Sequence, residues 1–333
     1  MFTLNSDTRK IIKKLSLLIG IFILVNYAFI IYLENFSIAY RPLKRKSQVL
    51  YQLYPDPKII IGGDSIAETG IDPNIISPKN GINIASPASG IQGFRKALHN
   101  YHQSALDNSN MLIVNVSTLN FNDDVIGNDH FIGQIDGFLE AGIPYLAKQW
   151  KKKFFENLFN VYRCTFPTCP YLAEQSYPEL EKSTHRGFIP LVFTDGKRTS
   201  LEERKKLLLN YESYYKNLTL EGVLFNGFKR DLAFLAQSPA KIFIVFLPPM
   251  SALKSYLDST PTSKKLQNFI THVKSECEQY SNCYFLDYYN WDHSQMSGSD
   301  EDNYYDLIHF THKGGETFST ILKHDIDLKI KRI

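Results

Sequence analysis

Two short stretches of the chain hold side chains that could make and break bonds together. Residues 62–67 read Gly-Gly-Asp-Ser-Ile-Ala, and residues 306–310 read Asp-Leu-Ile-His-Phe, followed closely by Lys313-Gly314-Gly315. A serine hydroxyl becomes a useful nucleophile when an adjacent base takes its proton. Histidine serves as that base when a carboxylate holds its second ring nitrogen. Asp306 and His309 lie one turn of chain apart, so both side chains can be directed into one crevice. The glycines at 62 and 63 allow a sharp turn, after which Ser65 falls where a helix could begin. Its hydroxyl would then face the crevice, with free helix N–H groups nearby for a negative oxygen. Each stretch also has a plainer reading. Asp and Ser are preferred helix N-caps, and an Asp-x-x-His by itself is commonplace.

Any chemistry requires residue 65 to meet residue 309, which is a task for the fold. Apolar runs at 58–62 (KIIIG), 81–85 (GINIA), 111–117 (MLIVNVS), 241–247 (KIFIVFL) and 283–287 (CYFLD) are apolar on both faces. That is the pattern of parallel strands covered by helices. Helical patterns fall between them at about 66–76, 90–107, 201–237, 262–280 and 313–323. The alternation predicts an α/β fold with a doubly wound, mainly parallel five-stranded sheet. Such sheets bind ligands at the carboxyl ends of their strands, and Ser65 directly follows the first strand. Residues 120–200 break the rhythm with a helix-like stretch at 132–159 and a Cys/Pro/Thr-rich patch. This reads as a largely helical insertion: a lid, a partner surface or a subdomain.

A serine at the end of the first strand and an Asp-x-x-His before the last helix stand in the chain order of the SGNH/GDSL hydrolases. The sequence resembles that family over about residues 58–325, through Gly63-Asp64-Ser65 and Asp306-Leu307-Ile308-His309. The resemblance implies an SGNH/flavodoxin-like sheet, with Ser65 as nucleophile, His309 as base and Asp306 as its orienting partner. It also implies an oxyanion hole. The stretch from Asn83 to Gly90 (NIASPASG) resembles the second family block and places a donor N–H at Gly90. The third block of the family reads Gly-x-Asn-Asp, and here Ser117-Thr118-Leu119-Asn120-Phe121-Asn122-Asp123 departs from it. Asn120 is the first choice for the side-chain donor and Asn122 the second; both could be ordinary loop asparagines. Pro248-Pro249, after the fourth strand, resembles the turn of membrane-anchored envelope members and is given no catalytic role.

The N-terminus addresses location. Residues 15–33 (LSLLIGIFILVNYAFIIYL) are apolar apart from Asn26, long enough to span a hydrocarbon core of roughly 30 Å. Arg9, Lys10, Lys13 and Lys14 precede the run and favour a cytoplasmic N-terminus, although Arg41, Lys44, Arg45 and Lys46 follow it. Ser37-Ile38-Ala39 would suit signal-peptide cleavage, but the run exceeds an ordinary signal core. The expected organisation is a cytoplasmic basic tail at 1–14 and a transmembrane helix at 15–33. A juxtamembrane stalk follows at 34–57, the α/β domain at 58–325 and a C-terminal tail at 326–333. The domain is then periplasmic or extracellular, on a single-pass anchor in the cytoplasmic membrane.

Composition narrows the remaining classes. A hydrophobic content of 44% supplies a large core, and a net charge of +3 from 37 basic and 34 acidic residues leaves no nucleic-acid footprint. No nucleotide fingerprint, metal motif or cofactor site is present; Asp123, Asp124, Asp129 and His130 lack EF-hand spacing. The cysteines fall into two local pairs, Cys164/Cys169 and Cys277/Cys283, expected as short-loop disulfides in an exported domain. Two function classes follow. One is a serine esterase or O-acyltransferase acting on acylated or acyl-accepting envelope glycans, the transferase drawing on a multi-span acyl-donor membrane protein. The other is a non-catalytic envelope protein of the same fold that binds glycan or a membrane partner.

Overall fold

The structure is a computed structural model that describes residues 6–36, 42–87, 89–101, 103–122, 185–191, 201–216 and 218–332. The chain divides into two units, Met1–Pro42 with Gly142–Ser176, and Leu43–Ala141 with Tyr177–Ile333. In the first unit the described residues form one helix of 31 residues, α1 (Ser6–Phe36). Among the described residues no helix is long and apolar enough to cross a membrane. The apolar run 15–33 lies within α1, but of its side chains beyond Leu24 nothing is described.

The second unit is built on five parallel strands: β1 (Ile59–Gly62), β2 (Gly81–Asn83), β3 (Met111–Asn115), β4 (Lys241–Phe246) and β5 (Cys283–Asp287). Their spatial order is β2-β1-β3-β4-β5. Ile60 pairs with Ile82 on one side and Leu112 on the other, and Ile113 pairs in turn with Phe243. Every residue of β3 is buried. Strands covered on both faces cannot alternate polar and apolar residues, which explains their unbroken apolar runs. The chain steps from β1 out to β2 and then back past β1 to β3, so right-handed crossovers place these two connections on opposite faces of the sheet. The short helices α3 (Ser65–Gly70) and α4 (Pro73–Ile76) pack with the last helix, His312–Lys331. Helix α5 (Gly90–Tyr101) packs with another helix, Val223–Leu235. The expected α/β sheet with flanking helices is therefore present.

Several boundaries differ from expectation. Residues 34–57 are no simple stalk: α2 (Pro42–Leu53) buries Lys46, Ser47, Val49 and Leu50 against the domain. The helical pattern at 66–76 breaks because Asp72 leaves the first helix to cap the second, accepting from Asn74 N–H at 2.8 Å. The pattern at 201–237 is two helices, Leu201–Lys216 and Val223–Leu235. Between them Leu218 forms an antiparallel bridge with Asn122, a tertiary pairing that local propensity cannot foresee. The last helix does not end near 323 but continues to Lys331, with Ile326 buried where a tail was expected. The helix-like stretch 132–159, the pair Cys164/Cys169 and the residues Asp123, Asp124, Asp129 and His130 lie outside the described residues.

Cys277 and Cys283 form a disulfide that joins the end of one helix, Thr262–Cys277, to the start of β5. A loop this short restricts the unfolded chain only moderately. Replacing both cysteines by alanine is expected to lower stability by about 2 kcal/mol, measured from urea denaturation curves. Non-reducing peptide mapping should recover the 277–283 link, and ready alkylation of both thiols without reductant would argue against it.

Candidate active site

The chain leaves β1 through Gly63, whose φ of +131° and close approach to β3 both require glycine. A Cβ there would lie 2.8 Å from Asn115 Cβ and 3.0 Å from the Asn115 carbonyl. Asp64 then caps α3, its Oδ1 accepting from Ile66 N–H at 3.0 Å. The cap and the nucleophile readings of this turn are thus compatible, since the cap is Asp64 and Ser65 is the first residue of the helix. Ser65 is part-buried, and its Oγ lies 2.8 Å from His309 Nε2.

The histidine is braced by a separate set of contacts. Met250 N–H donates to the Leu307 carbonyl at 2.9 Å, and the Tyr304 hydroxyl donates to the Pro248 carbonyl at 3.1 Å. The Pro248-Pro249 turn therefore supports the loop that carries Asp306 and His309. Phe310 stacks between Tyr304 and Phe318, locking this loop to the last helix. Asp306 Oδ1 accepts from the backbone N–H groups of Ile308 and His309 at 2.8 and 2.7 Å, and Oδ2 lies 2.7 Å from His309 Nδ1. A carboxylate acceptor at Nδ1 calls for the proton on that nitrogen. Neutral His309 then presents the Nε2 lone pair to the Ser65 hydroxyl.

Electrostatics reinforce that assignment. Burial works to lower the pKa of His309, but the hydrogen bond and charge of Asp306, with Asp64 and Glu68 behind them, outweigh it and raise the value. Burial works to raise Asp306, yet its bonds to the His309 ring and to two backbone N–H groups hold its carboxyl below the ordinary range. Shifts of opposite sign in a bonded pair mark a polarised couple.

Beside this couple, Asp64 gathers the end of β3. Asn115 Nδ2 donates to Oδ1 at 2.9 Å, while the Ser117 hydroxyl and Asn120 Nδ2, the latter at 3.0 Å, donate to Oδ2. Gly90, with a φ of +41°, lies against the same asparagine: a Cβ there would come within 2.5 Å of Asn120 Oδ1. The loop after β2 is stitched to the Ser65 turn as well, since Ser89 Oγ donates to the Gly63 carbonyl at 2.7 Å. Gly90 and Asn120 are therefore neighbours near Ser65. Asn120 differs from expectation in one respect. Its amide nitrogen is also 2.8 Å from Ser117 Oγ, so both amide protons are engaged within the protein rather than free for an oxyanion. Exchanging the amide's N and O would set two oxygens against each other at Asp64, which favours the arrangement described. Asn122, the second choice, is buried and held in the bridge to Leu218.

The sequence reading missed Asn115, Ser117, Lys46 and Glu68, all buried polar residues next to this site. Ser117 stood in the expected third block, and a strand ending in a buried Asn was the one signal for Asn115. A shallow cleft is lined by Ile66 and Ile308, the chain neighbours of Ser65 and His309, with Asn115, Ser117, Tyr215 and Leu247. Among the described residues no group of three or more His, Cys, Asp or Glu side chains could hold a metal ion.

No family model matches the chain, and no curated protein matches it. Among solved structures, a chain proposed to be a platelet activating factor from Streptococcus pneumonia is 12% identical, with a TM-score of 0.39, over 85% of this chain and 90% of that one. A chain proposed to be an acylhydrolase from Bacteroides fragilis is 12% identical, with a TM-score of 0.37, over 89% of this chain and 98% of that one. Likeness at this level does not define a family.

Proposed function

We propose that the chain is a membrane-anchored SGNH/GDSL-type serine esterase or O-acyltransferase acting on acyl esters of cell-envelope glycans. The observation that carries this reading is the continuous hydrogen-bonded line Ser65–His309–Asp306, in which each distance is 2.8 Å or less. In the proposed reaction His309 Nε2 takes the hydroxyl proton as Ser65 Oγ attacks the acyl carbonyl. Backbone N–H groups of Ser65 and Gly90 receive the oxyanion. For Asn120 to act as a third donor, one amide proton has to turn from Ser117 or Asp64 toward that oxygen as charge develops. His309 then returns its proton to the departing alcohol, leaving an acyl-serine. Water completes a hydrolysis; a sugar hydroxyl completes a transfer.

The anchored part of the reading rests on the apolar run 15–33 of the sequence, which lies within helix α1. Ile11, Leu15, Leu18, Ile21 and Leu24 are all exposed on it, as expected of a helix meant for lipid. With one such span, a transferase needs a multi-span partner to deliver the acyl donor. The engagement of both Asn120 amide protons favours the second reading, a non-catalytic envelope protein that binds glycan or a membrane partner.

The full chain is expected to release p-nitrophenol from a short-chain ester and to be labelled by a serine-reactive phosphonate. Ser65→Ala and His309→Ala should each cut kcat roughly 10⁶-fold, with the double variant little worse. Asp306→Asn should cost roughly 10⁴-fold. Labelling and turnover that persist unchanged in Ser65→Ala would remove the nucleophile, and a wild-type chain inert to both probes would leave the binding reading.

The base must be neutral to act, and the His309 pKa is raised. kcat/KM should therefore be low in acid and rise along a limb centred above the ordinary histidine value of about 6.5. Asp306→Asn removes a partner that raises this pKa, so any residual activity should have its limb at lower pH. A wild-type limb centred well below 6.5 would contradict the assignment.

An alkaline phosphatase fused after Ile333 is expected to be active in a bacterial host. An inactive fusion, beside a fluorescent cytoplasmic reporter at the same position, would reverse the proposed orientation.

A further inference from the structure

Helix α2 enters the domain through one buried cation. Lys46 is 1% exposed, and its Nζ lies 2.8 Å from Glu68 Oε1 and 2.5 Å from the Ala85 carbonyl oxygen. Glu68 belongs to α3, the helix that Ser65 opens. Its backbone is held at both ends: the N–H donates to the Asp64 carbonyl at 3.1 Å, and its own carbonyl accepts from Ile189 N–H at 3.0 Å. Ala85 lies just past β2, on the loop that leads to Gly90. One nitrogen thus joins the nucleophile helix to the strand connection that brings Gly90 against Asn120.

Stability alone is a poor reason for this arrangement. Burial works to lower the pKa of Lys46, and Glu68 only partly opposes it. Replacing a buried ion pair with neutral side chains of similar volume is often neutral or stabilising. What such replacements lose is geometry. An ammonium with two fixed acceptors sets a distance between two segments that are also joined at Asn83, whose Nδ2 donates to the Ala67 and Ile71 carbonyls, and at the Gly63 turn.

We propose that Lys46 and Glu68 are positioning residues of the Ser65 site, with the ammonium acting as a clamp between the nucleophile helix and the loop that carries Gly90. This rests on the serine-nucleophile reading above. It makes α2 part of the working site, although α2 lies between the proposed anchor and β1. Among the described residues, the carboxylates acting on His309 are Asp306 from its own loop and Asp64 and Glu68 from the nucleophile side, with Lys46 behind Glu68.

The test compares the full wild-type chain with the double variant Lys46→Met/Glu68→Gln, which removes both charges together and leaves no unpaired ion in the core. Melting should show that it folds. Its kcat toward the p-nitrophenyl ester should fall about 10²-fold, the scale of an ångström-sized misplacement, while KM changes little. The His309 imidazole, followed by NMR, should titrate at lower pH than in wild type, because the removed Glu68 charge raises its pKa while the removed Lys46 charge lies behind Glu68. A folded double variant with wild-type kcat, or with an unmoved His309 titration, would overturn the proposal. If the double variant does not fold, Glu68→Gln alone is judged by the same two measurements. A wild-type chain without Ser65-dependent turnover would retire the esterase reading instead, and the imidazole titration would still decide whether this pair acts on His309.

Discussion

Four donors converge on the buried carboxylate of Asp64: Ile66 N–H from its own helix, and Asn115, Ser117 and Asn120 from the end of β3. A buried carboxyl group is tolerated only when its oxygens are satisfied, and here the donors carry the contact between β1 and β3, which pair as far as Gly62 and Val114, on into the turns that follow both strands. Through them the turn after β1 and the turn after β3 become one rigid body. Ser65, the next residue, is therefore positioned by the sheet rather than by a free loop. Gly63 makes the approach possible, because any larger residue would be driven into Asn115.

The histidine side of the site is built independently. Asp306 is fixed by two backbone N–H groups before it meets the imidazole, and the loop around it is held by Pro248, Met250 and the stacked rings of Tyr304, Phe310 and Phe318. Two braced halves thus face each other, and the hydrogen bond from His309 to Ser65 crosses between them. The polarisation of the His309–Asp306 couple is set mainly within one half, with Asp64 and Glu68 of the other half adding to it. The geometry that would use it depends on how the two halves are held together, including the contacts of the last helix with α3 and α4.

How much of this was legible in the sequence depends on the range of the interaction involved. Strands buried on both faces announce themselves as runs such as MLIVN, because burial constrains every residue in them. Asp306 and His309 were readable because their pairing is local, and Ser65 because its turn needs glycine next to it. The break after Lys216 was not readable, since it comes from Leu218 pairing with Asn122 across the fold. Nor was the burial of Lys46. A lysine in the basic run RPLKRK looks like a solvated flank, and only the approach of Glu68 and Ala85 makes it a core residue. The engagement of Asn120 lay equally out of reach, since the identity of a residue does not reveal which atoms claim its protons.

Ser65 and His309 are 244 positions apart. On the ribosome the Ser65 turn and its strand emerge well before His309 and the helix that secures it. Until residue 309 has been made the Ser65 hydroxyl has no imidazole to meet, and long-range closure of this kind is among the slower events in folding. A chain interrupted, cleaved or stalled before residue 309 holds the Ser65 turn without the imidazole beside it. The hydrogen bond between the two residues therefore reports that both braced halves have been made and have docked.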